Sequence, residues 1–549
     1  MNGFNANERG ELIEKLNRTQ YDLVIIGGGV TGAGIALDAA ARGIKTALVE
    51  KNDYASGTSS KSTKLIHGGL RYLKQFEVAL VREVGQERAV VHHLAPHLVK
   101  SEKMLLPLIK DGTYGKILTS VGLMVYDVLA GVEKVDQRKM MTHEETMEKE
   151  PLLDPDKLEG GGIYAEYRTD DARLTLEILK TATRMGADII NYAEATDFIY
   201  DAEGKVRGID WRDNLTGKEY KINSTYTISA AGPWVDEIRE KNRSLKGKKL
   251  HPTKGVHIVL PHAKFPVKQS VYFDVPDGRM IFAIPRDRVT YIGTTDTDYH
   301  GNINDVRTDK EDVEYLLKGV KHIFPDVHLT IDDVESSWAG LRPLIEEEGK
   351  SASQLSRKDE IFESESGLLS IAGGKLTGYR KMAERIIDKL GKRMEEELGI
   401  EIPDCNTDKI LLAGSGFKDG EAVRNYEAYV RGRVTEMGLD PYYAEYLVGN
   451  YGKQVEDVFG YYKTRKEEDP EIRLALSELE FTVKEEAVHS IMDFFERRTG
   501  RLYFNINTIP KLIEPVFDYL SKNFSWSEDR RRHEQAWLEK SLKVASQFV

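Results

Sequence analysis

The sequence predicts an α/β fold: a nucleotide-binding unit, a mixed-sheet substrate unit and a C-terminal part that is all helix. Three observations predict it. Tyr21 to Glu50 reads strand, glycine turn, helix, strand and acid in that order. From His251 to about Leu369 strand patterns dominate, and after Pro403 charged helical patterns run on without strand signals. A chain of 549 residues with 40% hydrophobic residues also exceeds a single core and suits two or three units. The expected divisions are a lead-in at 1–20, a discontinuous nucleotide unit at 21–250 and 345–400, a substrate unit at 251–344 and a helical unit at 404–549.

The N-terminal stretch rests on local chemistry. Leu23-Val24-Ile25-Ile26 is an apolar run suited to a strand buried on both faces. Gly27, Gly29 and Gly32 follow at G-x-G-x-x-G spacing. The first allows the tight turn, the second lets a pyrophosphate reach the backbone, and the third lets helix and strand pack closely. The helix start offers N–H groups and a positive dipole end to that phosphate. Glu50, 18 residues after Gly32, is placed to accept hydrogen bonds from a ribose.

Residues 51–73 are rich in Ser, Thr, Gly and Lys and read as a loop with many small donors. Helical spacing runs from Gln75 to His93, ended by Pro96. Residues 103–132 form the most apolar surface candidate, with Ile117, Val121, Met124, Val125, Val128 and Val132 on one helical face. That stretch reads as a core helix or as an interfacial helix lying in a bilayer surface. A helix is expected over 171–187, one strand over 188–198, a meander around Asn214 and Gly217, and a buried strand over 224–234. The segment 368–390 returns to a buried strand, a glycine turn and a long helix.

Charge and cysteine content narrow the classes. A net charge of −12 with no dense basic stripe argues against nucleic acid as a partner. The single Cys405 excludes an internal disulfide and any C-x-x-C redox or zinc motif, and no metal site is expected. Met1 to Gln20 lacks the apolar core of a signal peptide, and no window has the length of a transmembrane span. Peripheral membrane contact stays open, as do the monomeric and homodimeric states.

Two segments concentrate chemistry. In 64–73, His67, Arg71 and Tyr72 surround Gly68-Gly69, where backbone can approach a flat ring. In 372–380, Gly373-Gly374 stand at a strand end before a helix, presenting N–H groups and a dipole to an electron-rich atom, with Lys375 adding a charge. In a flavin that atom would be N1 or the O2 carbonyl. Arg71, Arg342 and Lys375 are cations from distant stretches that could meet on a dianionic substrate. His67 and His257 are the candidate general bases, since a histidine near its ordinary pKa takes a hydroxyl proton while hydride leaves the same carbon.

With these residues in view the sequence resembles the FAD-dependent, respiratory (aerobic) glycerol-3-phosphate dehydrogenases. The blocks are VIIGGGVTGAGIALDAAARG, TSSKSTKLIHGGLRYL, DDARL, AAGPWVD, KGVHIV, IGTTD, LRPL and GGKLTGYRKMAE, spanning roughly residues 20–400. The resemblance implies a glutathione-reductase-like FAD-binding domain under a substrate domain. It implies FAD contacts at Gly27, Gly29, Gly32, Glu50, Thr58, Ser59, Ser62, Lys64, Leu65, His67, Ala195, Gly232, Gly374 and Thr377. Substrate would meet Arg71, Tyr72, His257, Arg342 and Lys375, with the phosphate-binding cation left open. The implied reaction oxidises sn-glycerol 3-phosphate at C2 to dihydroxyacetone phosphate, with hydride passing to flavin N5 and electrons to the membrane quinone pool. The implied location is cytoplasmic, peripheral on the inner face of the cell membrane. An oxidase branch of the family, soluble and cytoplasmic, reduces oxygen to peroxide and tends to carry an insertion, which is not seen between Arg342 and Gly373. An amine or amino-acid oxidase of the same fold is the more distant alternative.

Overall fold

The computed structural model describes residues 4–66, 78–110, 112, 138–346 and 358–548. Among them two sheets organise the chain. The first runs Asp359–Glu363, Leu369–Gly373, Glu219–Ser229, Gln20–Ile26, Thr46–Val49 and Asp188–Ile190, with Val206–Asp213 and Ala193–Tyr200 continuing from the 219–229 strand. Its centre is parallel, with Ile25 opposite Ile228 on one side and Leu48 on the other. Leu23 to Ile26 are all buried, as a strand covered on both faces requires. Helix Val30–Ala41 lies on this sheet between helices Asp171–Arg184 and Tyr379–Leu398.

The second sheet runs Thr297–Asp298, Leu250–Pro261, Val289–Gly293, Met280–Arg286, Ser270–Asp274, Lys100–Ile109, Leu158–Arg168 and Leu65–Ile66. Ser336–Ile345 pairs along the free side of Leu250–Pro261, and Lys139–Met141 joins the 158–168 strand. Strands between 65 and 168 therefore belong with those between 250 and 345, although sequence order sets them beside the glycine turn.

Several local expectations need correction. Residues 103–109 are strand rather than helix, with Met104, Leu105, Leu106 and Leu108 buried. A short apolar run does not distinguish the two by itself. The apolar face from Ile117 to Val132 lies outside the described residues. The 188–198 strand is broken at Asn191-Tyr192, where Tyr192 has φ 52°. Glu219–Ser229 is one strand across what reads as two. Helix Lys310–Ile323 went unread among the strands, despite a capping box of Asp309 and Asp312.

Beyond Pro403 the described chain is helical to Ser546, as expected. No helix among the described residues is long and apolar enough to cross a membrane. The C-terminal helices join helix Asp171–Arg184 through buried charges. Arg173 donates to Glu486 at 2.5 and 2.8 Å, and Lys180 donates to the same carboxylate at 3.0 Å. Against the cost of burial, these cations pull the Glu486 carboxyl from 4.5 down to about 2. A carboxyl depressed in the folded state stabilises above its unfolded pKa and loses that contribution as pH falls through the folded one. The thermal midpoint should thus drop between about pH 4.5 and 2, with roughly 3 kcal/mol arising here. Glu486→Gln should flatten that part of the profile; an unchanged slope would assign the acid lability to other groups.

Candidate active site

A deep cleft runs between the two sheets. Gly27, Gly29, Glu50, Thr58, Ser59, Ser62, Leu65, Ala195, Gly232, His257, Arg342, Gly374, Lys375 and Thr377 all line it. Two expected contacts stand behind its wall. Gly32 packs against the turn, where a Cβ would overlap the Gly27 carbonyl oxygen. Lys64 is turned into the protein, donating to Ser60 O at 3.1 Å and to the Asp171 carboxylate. His67, Arg71 and Tyr72 lie outside the described residues, so the meeting of cations is seen for Arg342 and Lys375.

At one end the glycine turn meets the start of helix Val30–Ala41. Gly29 caps this helix without a side chain, leaving first-turn N–H groups for a phosphate. Ser59 Oγ accepts from Val30 N at 2.9 Å. Glu50 accepts from Gly28 N at 2.7 Å and Asn52 N at 2.9 Å, which fixes its carboxylate at the end of Thr46–Val49. Burial raises its pKa while these two bonds oppose the rise. Across the cleft, Gly373 and Gly374 both have φ 79°, a left-handed pair that turns strand Leu369–Gly373 into helix Tyr379–Leu398. Lys375 follows at the cleft wall.

The far end is built on the second sheet. Strands 250–261 and 336–345 set Gly255 opposite Gly340 and His257 opposite Trp338. Gly255 clears room for the Arg342 guanidinium, which a Cβ there would overlap. Arg342 donates to Asp296 Oδ1 at 3.1 Å, Thr294 Oγ1 at 2.8 Å and Thr295 O at 3.2 Å. The His257 ring stacks on Trp338 at 4.8 Å, and its Nε2 lies 3.0 Å from Thr63 Oγ1. Burial, then the positive charges of Arg342 and Lys64, pushes the imidazole well below its ordinary 6.5, so His257 is neutral near pH 7.

Sequence reasoning passed over Lys61, Thr63, Trp234 and Gly255, which also line the cleft. Gly255 could have been found, since a glycine inside a strand marks a close approach. The roles of Lys61 and Thr63 depend on strand 336–345 crossing their loop. There Trp338 Nε1 donates to Ser62 O at 3.0 Å and Gly340 closes on Lys61.

A parallel sheet with a glycine turn, opening by one cleft onto a second sheet with catalytic-type side chains, defines an FAD-dependent oxidoreductase. A family model described as FAD dependent oxidoreductase matches residues 22–380. One described as the C-terminal domain of alpha-glycerophosphate oxidase matches 405–531. The aerobic glycerol-3-phosphate dehydrogenase of Bacillus subtilis is 48% identical over 548 residues, covering 99% of this chain and 98% of that protein. The X-ray structure of the glycerol-3-phosphate dehydrogenase from Bacillus halodurans complexed with FAD has a TM-score of 0.84 at 44% identity, covering 99% of both chains. The L-alpha-glycerophosphate oxidase from Mycoplasma pneumoniae, at 20% identity and TM-score 0.54 over 70% of this chain and 96% of its own, shares the fold. The chain belongs to the aerobic glycerol-3-phosphate dehydrogenase family. Its residues fit FAD on geometry: a helix start whose N-cap is a glycine, a carboxylate at the end of the next strand pinned by two N–H groups, and a glycine turn facing them across one cleft.

Proposed function

We propose that this chain oxidises sn-glycerol 3-phosphate at C2 to dihydroxyacetone phosphate and delivers the electrons to a membrane quinone. The carrying observation is that Arg342, Lys375 and His257 line the same cleft as the glycine turn and Glu50. FAD held by the glycine turn and Glu50 would supply the two-electron acceptor for the C2 hydride. Arg342 and Lys375 offer charge and donors to the phosphate, and the Arg342 fork is held ready by Asp296 and Thr294. The C2 hydroxyl proton goes to a histidine. His257, whose cation is disfavoured first by burial and then by Arg342, is better suited to orient the hydroxyl than to keep its proton, and His67 is our candidate for the base.

The membrane part of this reading rests on the apolar residues Ile117 to Val132 and on the need to meet a lipid-soluble acceptor at the inner face of the cell membrane. Anaerobic glycerol 3-phosphate should bleach the flavin, and a quinone analogue should restore its colour. Bleaching by amino acids instead, or one peroxide per turnover in air, would move the chain to another activity. Sedimentation with anionic vesicles tests the membrane contact, and no partition would remove it.

Gly293 offers a check on His257. A Cβ there would overlap the His257 ring, and strands on both sides hold the backbone in place. Gly293→Ala should lower kcat/KM by roughly 10²-fold, the scale of a small misplacement of a reacting group, with FAD content unchanged. Normal turnover would show that His257 need not sit where it does.

A further inference from the structure

The loop from Glu50 to Ser59 borders the cleft at both ends, with Glu50 and Lys51 at the start and Ser56 to Ser59 at the finish. Between them Asp53 is buried and faces away from the cleft into the C-terminal helices. Arg497 Nε and Arg498 Nη1 both donate to Asp53 Oδ2 at 2.5 Å. Arg498 Nη2 donates to Oδ1 at 2.8 Å and Asn191 Nδ2 to the same oxygen at 3.1 Å. The two arginines are neighbours in sequence, yet both reach one carboxylate, because they end a π-helical turn, Asp493–Arg498.

That turn is itself held fast. Arg498 also donates to Glu486 O, and Arg497 to Glu496 and Asp493. Asp493 in turn accepts the His489 and Ser490 N–H groups and the Tyr192 hydroxyl. Tyr192 N donates to Asn52 O and Ala193 N to Glu50 O, so the cleft loop is gripped from a second side by the same cluster. Glu50 sits three residues from the Asp53 anchor and is tied to Gly28 of the glycine turn.

We propose that Arg497 and Arg498 are positioning residues for the cofactor: the C-terminal helices, through Asp53, hold the 50–59 loop closed on FAD and slow its release. This rests on the assignment of FAD to the cleft. It gives the C-terminal part a task in cofactor retention that is separate from substrate chemistry.

The test compares Arg498→Met with Arg501→Met in the full-length holoenzyme. Arg501 makes a buried ion pair with Glu478 at 2.8 Å inside the C-terminal helices and does not touch Asp53. Both variants should lower the melting temperature. Release of FAD, followed by the rise in flavin fluorescence on dilution, should accelerate roughly tenfold or more in Arg498→Met and stay near wild type in Arg501→Met. Arg498→Lys, which restores the charge without the fork, should fall between and serves if the methionine variant does not fold. Equal release rates in the Arg498 and Arg501 variants, or an unchanged rate in both Arg498 variants, would overturn the proposal. Failure of the wild-type protein to hold FAD at all would instead strike at the cofactor assignment.

Discussion

Arg342→Ala is expected to cost about 2–5 kcal/mol in kcat/KM for glycerol 3-phosphate, the range for truncating one member of a desolvated charge pair. The side chain is mostly buried, and Gly255 gives it a floor. Its partner sharpens the effect. Asp296 would keep its negative charge on that side of the cleft with one guanidinium fewer beside it, adding repulsion of an incoming phosphate dianion to the lost attraction. Arg342→Lys should recover part of the loss, since an ammonium keeps the charge without the paired donors. Measured against glycerol, which has no phosphate, the alanine variant should show almost no penalty. An equal loss with both substrates would mean that Arg342 supports the sheet rather than the substrate.

Gly32→Val is expected to give a colourless protein. Its Cβ would overlap the Gly27 carbonyl oxygen, and the turn cannot retreat because a Cβ at Gly27 itself would stand 2.6 Å from Ala230 O. Helix and strand must then separate just where first-turn N–H groups are aimed at the dinucleotide. Overpacking of this kind costs about 1–3 kcal/mol in an ordinary core. Here the displacement falls on the phosphate site, so FAD affinity should drop by two orders of magnitude or more. The absorbance of the purified variant near the flavin band, before and after adding FAD, decides it. A yellow protein with normal flavin content would show that the turn tolerates the side chain.

The glycine turn was legible in the sequence because each position answers a local steric demand, and Glu50 because it ends the next strand. Gly373-Gly374 were legible for the same reason. Arg342, Lys375 and His257 could be picked out by type, whereas their common cleft depends on strand register, such as Thr253 opposite Arg342 and His257 opposite Trp338. The Lys64 side chain faces Asp171 rather than the cleft, a pairing across 107 residues that no local pattern announces. The strand at 103–109 misled because its neighbours, 158–168 and 270–274, are far along the chain. Nothing local to Asp53 announces two arginines 444 and 445 residues later.

The two sheets take their strands in turn from one chain, the first from 20–49, 188–229 and 359–373, the second from 65–168 and 250–345. A ribosome must therefore deliver residue 373 before the last parallel strand of the nucleotide sheet can dock, and by then most of the other sheet has emerged. Such non-local pairing slows folding and leaves unpaired edges exposed in the meantime. It also means that any single cut between residues 65 and 345 leaves neither sheet whole, so a chain from a message stalled in that span should be insoluble rather than a smaller working enzyme.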